Sequence, residues 1–160
     1  MMSERIERYL LGIEAVREAV RGFTSHELRI QPVVDEPASP DVGAWSPLEV
    51  ICHLADSEAL FAERMKRVLA EDRPPLAFAD PAAYMAALAC HDRDVEEELA
   101  CIAATRRQMV RILAAQSADA WQRVGIHSRQ GEQTLEQLLQ KAVDHLEHHV
   151  RFLWKKRDRR

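Results

Sequence analysis

The sequence is short of glycine, of cysteine, of long apolar runs and of any strong net charge, and each shortage excludes something. Only 5 of its 160 residues are glycine, too few for a fold rich in tight turns and sheet, so the composition points to helix. Its 3 cysteines, Cys52, Cys90 and Cys101, are odd in number and widely spaced. That excludes a disulfide framework, and the three read as small buried hydrophobes in a reducing cytoplasm. No motif around any of them suggests a catalytic thiol. A formal charge of −4 with a pI near 6.0 gives no electrostatic footprint for nucleic acid. The basic end Lys155-Lys156-Arg157-Asp158-Arg159-Arg160 reads as a solvated helix terminus, where cations suit the helix dipole. No apolar run approaches the ~20 residues that cross a bilayer, and the uncharged stretch Pro81–Cys90 is far too short. Met1–Arg5 leads straight into an amphipathic pattern, so no export signal is expected. A chain of this length is expected to form one domain, residues 1–160.

What is present is helical periodicity. Ile6, Tyr9, Leu10, Ile13, Val16 and Val20 repeat at three and four over about Ser3–Gly22, an amphipathic helix. Thr24-Ser25-His26-Glu27 is placed to cap a further short turn. Pro32, Pro37 and Pro40 then forbid helix up to Gly43, which predicts a long crossover. Ser46, Pro47 and Glu49 together form an N-cap, a first-turn proline and a capping box. The stripe Val50, Leu54, Ser57, Phe61, Met65, Val68 follows and ends before Pro74-Pro75. Asp80-Pro81 starts a third helix by the same logic, and Leu88, Val95, Leu99, Ile102, Met109 and Leu113 continue it at near-heptad spacing. The acidic cluster around Asp92–Glu98 reads as its solvated face. From Ser117 to Gln133 the pattern breaks into a loop or short irregular hairpin. Thr134 and Gln137 form a second capping box, opening a last helix along Leu135, Leu138, Leu139, Ala142, Leu146, Val150 and Leu153. Four long helices without a convincing strand predict an all-α four-helix bundle.

Of seven histidines, two stand out. His145 and His149 are four residues apart, so they stack on one helix face and can aim at one point. On a helical wheel His149 falls about 50° and His145 about 90° from the centre of the apolar stripe, whereas His148 lies about 150° away and faces water. His53 falls roughly 80° off the stripe of its own helix, again at an edge. Edges line the grooves in which bundles build metal sites. Leu146 follows His145 where zinc proteases need a glutamate. None of the histidines has a glutamate three residues before it, which argues against a di-iron carboxylate bundle. On residue chemistry alone, His53 is one candidate for a third ligand, and each histidine is also compatible with an ordinary half-exposed helix position.

The stretch Gly43-Ala44-Trp45-Ser46-Pro47-Leu48-Glu49-Val50-Ile51-Cys52-His53-Leu54-Ala55-Asp56-Ser57-Glu58, taken with His145-Leu146-Glu147-His148-His149, resembles the signature of the DinB-like (DinB/YfiT) superfamily of metal-dependent four-helix-bundle proteins. The resemblance spans nearly the whole chain. It implies an up-down-down-up topology with a long first crossover, and a divalent transition metal held by His53, His145 and His149. It gives Trp45 and Ser46 structural roles at the start of the second helix. Relatives of this kind include thiol-dependent S-transferases and a thiol-dependent maleylpyruvate isomerase, using low-molecular-weight thiols such as bacillithiol or mycothiol, and dimers are common among them. The resemblance thus implies a cytoplasmic homodimeric metalloenzyme, a thiol S-transferase or hydrolase acting on small molecules, with neither nucleic acid nor membrane as partner. Three imidazoles suit zinc or nickel first, and iron, manganese or cobalt as well. No catalytic residue is assigned. Asp56 and Asp144 are placed to orient a ligating imidazole or to be plain surface carboxylates. The alternative is a non-catalytic dimeric stress-response or interaction bundle with a structural or vestigial metal site.

Overall fold

A computed structural model describes residues 2–32 and 44–158. Most of the proline-interrupted crossover, including Pro37, Pro40 and Gly43, lies outside the described residues, as do Arg159 and Arg160. Four long helices carry the fold: α1 (Met2–Val20), α2 (Pro47–Ala70), α4 (Val95–Ala114) and α5 (Leu135–Arg157), with a short α3 (Pro81–Ala87) between the second and third of them. Each long helix packs against two others: α1 on α4 and α5, and α2 on the same two. The first two helices therefore sit across the bundle from each other rather than as a hairpin.

The capping chemistry behaves as the sequence predicts. The Ser46 hydroxyl accepts from the Glu49 amide at 3.2 Å while the Glu49 carboxylate accepts from the Ser46 amide at 2.6 Å. Thr134 and Gln137 repeat this reciprocal pair at the start of α5. Asp80 caps α3, and Thr24 and Glu27 brace a single 3-10 turn, Glu27–Arg29. Each satisfies amides that a helix start leaves without a partner.

Two expectations need correction. The third predicted helix is two: α3 stops at Ala87, Ala89 takes a left-handed conformation with φ 47°, and Asp94 caps a new helix, α4, through the Glu96 and Glu97 amides. Leu88, counted in the continuous stripe, is exposed. The stretch before α5, read as a loop or short irregular hairpin, is a hairpin, and it belongs to a sheet where no strand was expected. β1 (Pro75–Leu76), β2 (Val124–His127) and β3 (Gly131–Thr134) form a small sheet in which β1 and β2 run parallel and β2 and β3 antiparallel. The sheet is pinned to the end of α2, where Arg123 donates to the Val68 and Glu71 carbonyls at 2.8 and 2.7 Å. Gly125 permits the close approach, because a Cβ there would come within 2.9 Å of Val68 and 2.8 Å of Leu76. Two smaller readings also change. Cys52 and Cys90 are buried but Cys101 is exposed. The acidic face of α4 is not wholly solvated, since Arg93 sits between Asp56 and Glu98 with bonds of 2.5–3.0 Å.

The core comprises two adjoining apolar clusters along the bundle. One gathers around Met65, Met109 and Leu139, the other around Ile51, Ile102 and Leu146. Near their junction lies a fully buried arginine. Arg106 donates to the Glu58 carboxylate at 2.8 and 2.7 Å and to the Tyr9 carbonyl at 2.6 Å, and its guanidinium stacks over the Tyr9 ring at 4.4 Å. The Tyr9 hydroxyl donates to the same carboxylate. This network ties α1, α2 and α4 together, and Gly12 leaves room for it: a Cβ there would stand 2.5 Å from Arg106 Nη1. No helix among the described residues is long and apolar enough to cross a membrane.

Candidate metal centre

The same helix starts that fix the fold place the site. The Ser46 cap and Pro47 set the phase of α2, so His53 faces the groove toward α5 with the Trp45 ring 5.1 Å from its own. On α5, His145 and His149 are one turn apart and reach the same groove. The Nε2 atoms of His53 and His145 are 3.0 Å apart, and those of His145 and His149 are 3.2 Å apart. All three donor nitrogens lie within 4.8 Å of one another, and among the described residues this is the one such group. The chain therefore brings together every histidine that the resemblance named.

The donor set fits a divalent transition metal. Zinc–imidazole bonds of about 2.0–2.1 Å in a tetrahedral array put ligand nitrogens about 3.3 Å apart, close to the two observed separations. Ligation requires neutral imidazole, and the surroundings supply it. Burial pushes His53 down to about 4 against a weak opposing pull from Asp56. His145 falls to about 3 and His149 to about 2, through burial first and then the neighbouring histidines. The rings pack edge to face, with His149 centred 4.7 Å from His53 and 4.5 Å from His145. Packing does the orienting that a hydrogen bond often does in such sites, because the buried Nδ1 of His149 has no partner among the described residues.

The other candidates fall away from this point. His148 is exposed, as its wheel position predicts, and so are His26 and His91. Asp56 is taken by Arg93 with both carboxylate oxygens at 3.0 Å. Asp144 is exposed and accepts from Gln140 at 2.7 Å. Neither makes a hydrogen bond to a ligand imidazole.

Beside the histidines opens a cleft of about 260 Å³, with His53 and His145 in its wall. Phe61 and Leu138 give it apolar surface, Arg64 and Lys141 give it cations, and His127 adds an imidazole. His127 is a residue that sequence reasoning passed over. It sits in a four-residue strand whose pattern was too short to read, yet it is buried. Lys141 was recoverable, because it precedes His145 by one turn and follows Leu138 by three residues on one face of α5.

The sequence matches the DinB superfamily over residues 9–153. The chain belongs to the DinB superfamily. No curated protein matches it. Among solved structures, this DinB-superfamily chain is similar to YfiT from Bacillus subtilis, described as a probable metal-dependent hydrolase with an unusual four-helix bundle topology. The two share 23% identity at a TM-score of 0.85, covering 99% of this chain and 86% of that one. It is also similar to a mycothiol-dependent maleylpyruvate isomerase, at 12% identity and a TM-score of 0.73, covering 96% of this chain but 60% of the isomerase. At these identities the two structures establish a shared fold.

Proposed function

We propose that His53, His145 and His149 hold a divalent transition metal, and that this DinB-superfamily protein is a metal-dependent enzyme acting on small molecules in the adjoining cleft. The reading extends to a thiol S-transferase or hydrolase with a low-molecular-weight thiol as co-substrate, in a cytoplasmic homodimer built from one domain per chain. The observation that carries it is the cleft: two of the three converging histidines line an opening with room for a small ligand. A metal serving only to staple helices needs no such opening. The up-down-down-up course goes with this reading. Lys66 of α2 reaches Gln108 of α4 while Asp56 reaches Arg93 just before it, and Arg157 of α5 reaches the Glu18 carbonyl of α1. Leu11 on α1 and Trp154 on α5 are exposed and offer apolar surface to a second copy.

A bound divalent ion would supply a Lewis acid able to keep a thiol or water ionised at neutral pH. The protein does the remainder. Burial keeps the imidazoles neutral and therefore able to ligate, Trp45 and Phe61 wall their rings in, and the cleft admits a substrate from the side of α2 and α5 nearest the sheet. Three protein ligands leave a coordination position for what enters.

Native metal analysis is the decisive test. The expected result is about one equivalent of zinc, nickel or a neighbouring metal per chain, falling to a small fraction in His53→Ala. Metal content well below one equivalent and unchanged by the substitution would overturn the assignment. A thiol-conjugation screen on the loaded protein, with and without chelator, then separates an enzyme from a non-catalytic bundle. Chelator-sensitive conjugation of small electrophiles is the expected outcome.

A further inference from the structure

The cleft beside the histidines carries a charge imbalance that the metal does not need. The chain has 26 acidic residues against 22 lysines and arginines, yet no aspartate or glutamate lines the cleft, while Arg64, Lys141 and His127 all do. The acid nearest the histidine end, Asp56, is already matched by Arg93. Among the described residues neither Arg64 nor Lys141 forms an ion pair; Glu63, beside Arg64 in sequence, pairs with Arg67 at 3.6 Å and acts on Arg64 only through space.

These cations are held in place by neutral groups. Arg64 donates to the Ala77 carbonyl at 2.6 Å, leaving most of its five N–H donors uncommitted. Lys141 donates to the Gln130 side-chain oxygen at 2.5 Å and to that of Gln133, which leaves one of its three ammonium protons free. His127 accepts the Arg129 amide on Nδ1 at 3.2 Å, so the neutral ring carries its proton on Nε2. Amide and carbonyl partners fix position without cancelling charge, as a preorganised anion site requires. Consistent with a positive field, Lys141 is pushed below its ordinary value by burial and then by Arg64, and His127 by burial and then by Arg64, Lys141 and Arg129.

We propose that the cleft binds small molecules through an anionic group, carboxylate or phosphate, received by Arg64, Lys141 and the His127 Nε2–H. Lys141 lies one turn before His145, and Arg64 lies about 16 Å along α2 from His53 at 1.5 Å per residue. Arg64 thus enters the cleft from a point on α2 well beyond His53, and the apolar Phe61 and Leu138 line the same cleft. This names the substrate class of the proposed enzyme and rests on that reading for the cleft's catalytic role.

Calorimetric titration of the full chain, as purified and after chelator treatment, tests it with three probes of similar shape: phenylacetate, phenyl phosphate and the neutral phenylacetamide. At least one anion is expected to bind the chelator-treated protein roughly tenfold or more tighter than the amide, as a charge-assisted hydrogen bond allows. Arg64→Gln and Lys141→Gln should each reduce that preference about fivefold or more without changing amide binding. Lys66→Gln, on α2 outside the cleft, should leave it intact. Equal binding of acids and amide, no binding of any probe, or a preference that survives both cleft substitutions would overturn the proposal. Zinc stoichiometry on the same samples reports on the histidines separately: anion preference without zinc binding would sink the metal reading alone.

Discussion

Two polar clusters among those that the bundle buries differ in one respect, whether their hydrogen bonds are complete. Arg106, Glu58 and Tyr9 form a closed set. The carboxylate receives the guanidinium and the phenol, and spare guanidinium protons reach the Tyr9 and Ala142 carbonyls. His53, His145 and His149 form an open set, with three Nε2 atoms pointed at one another, a His149 Nδ1 without a partner among the described residues and a cleft alongside. A satisfied buried network fixes which helices meet and at what height. An unsatisfied one is what a ligand completes. The difference separates a buried polar cluster that holds helices together from one that is able to take a ligand.

The comparison can be broken most forcefully at the closed cluster. Arg106→Met removes the cation and leaves the Glu58 carboxylate buried and unmatched, which should lower stability by about 3–5 kcal/mol. Urea unfolding measures it, and the double substitution Arg106→Met with Glu58→Leu should recover part of the loss. A loss no larger than that of an ordinary surface change would mean the network is not what holds the helices in register.

The open cluster should show itself through pH. The folded pKa values of its histidines, about 4, 3 and 2, lie below the unfolded value near 6.5. The unfolded chain therefore takes up protons first as pH falls. Stability of the metal-free protein is complete above pH 6.5 and declines below it toward those folded values. Each histidine contributes up to about 1.4 kcal/mol per pH unit. Urea midpoints between pH 7.5 and 5 should fall, and fall less steeply in His53→Ala; a flat profile would remove the case that the rings are buried neutral.

The smallest effect sharpens the boundary of the open cluster. His148 adjoins His149, with ring centroids 5.3 Å apart, but its side chain is exposed. His148→Ala should change stability by no more than about 0.5 kcal/mol and leave metal content unaltered, as read by elemental analysis. Loss of metal there would redraw the site.

The closed and open clusters were not equally legible in the sequence. The helix starts were plain, because Ser46 with Glu49 and Thr134 with Gln137 are local signals that need no tertiary contact. The His145–His149 pair was plain for the same reason, whereas His53 came through family resemblance, its partners being far away in the chain. Arg106 gave no sign, because an arginine within an apolar pattern reads as surface until its acid is known, and Glu58 lies 48 residues earlier. The break before α4 was masked because apolar spacing runs through Leu88 to Leu99 while the backbone turns at Ala89. The strands, of two and four residues, are too short for alternation to register.

The cleft has walls of two different makes. One is helix, carrying the histidines on α2 and α5; the other is the sheet, with its hairpin turn at His127–Gly131 and the segment after β1 that brings Phe78 and Ala79 to the opening. The Phe78 amide is tied to the Ser128 hydroxyl at 3.0 Å, which joins these two pieces of chain at the rim. On the proposed reading the histidines and the rim belong to separate pieces of chain, so exchanging residues Ser128–Gln130 should reshape the opening while the three histidine nitrogens, carried by α2 and α5, stay where they are.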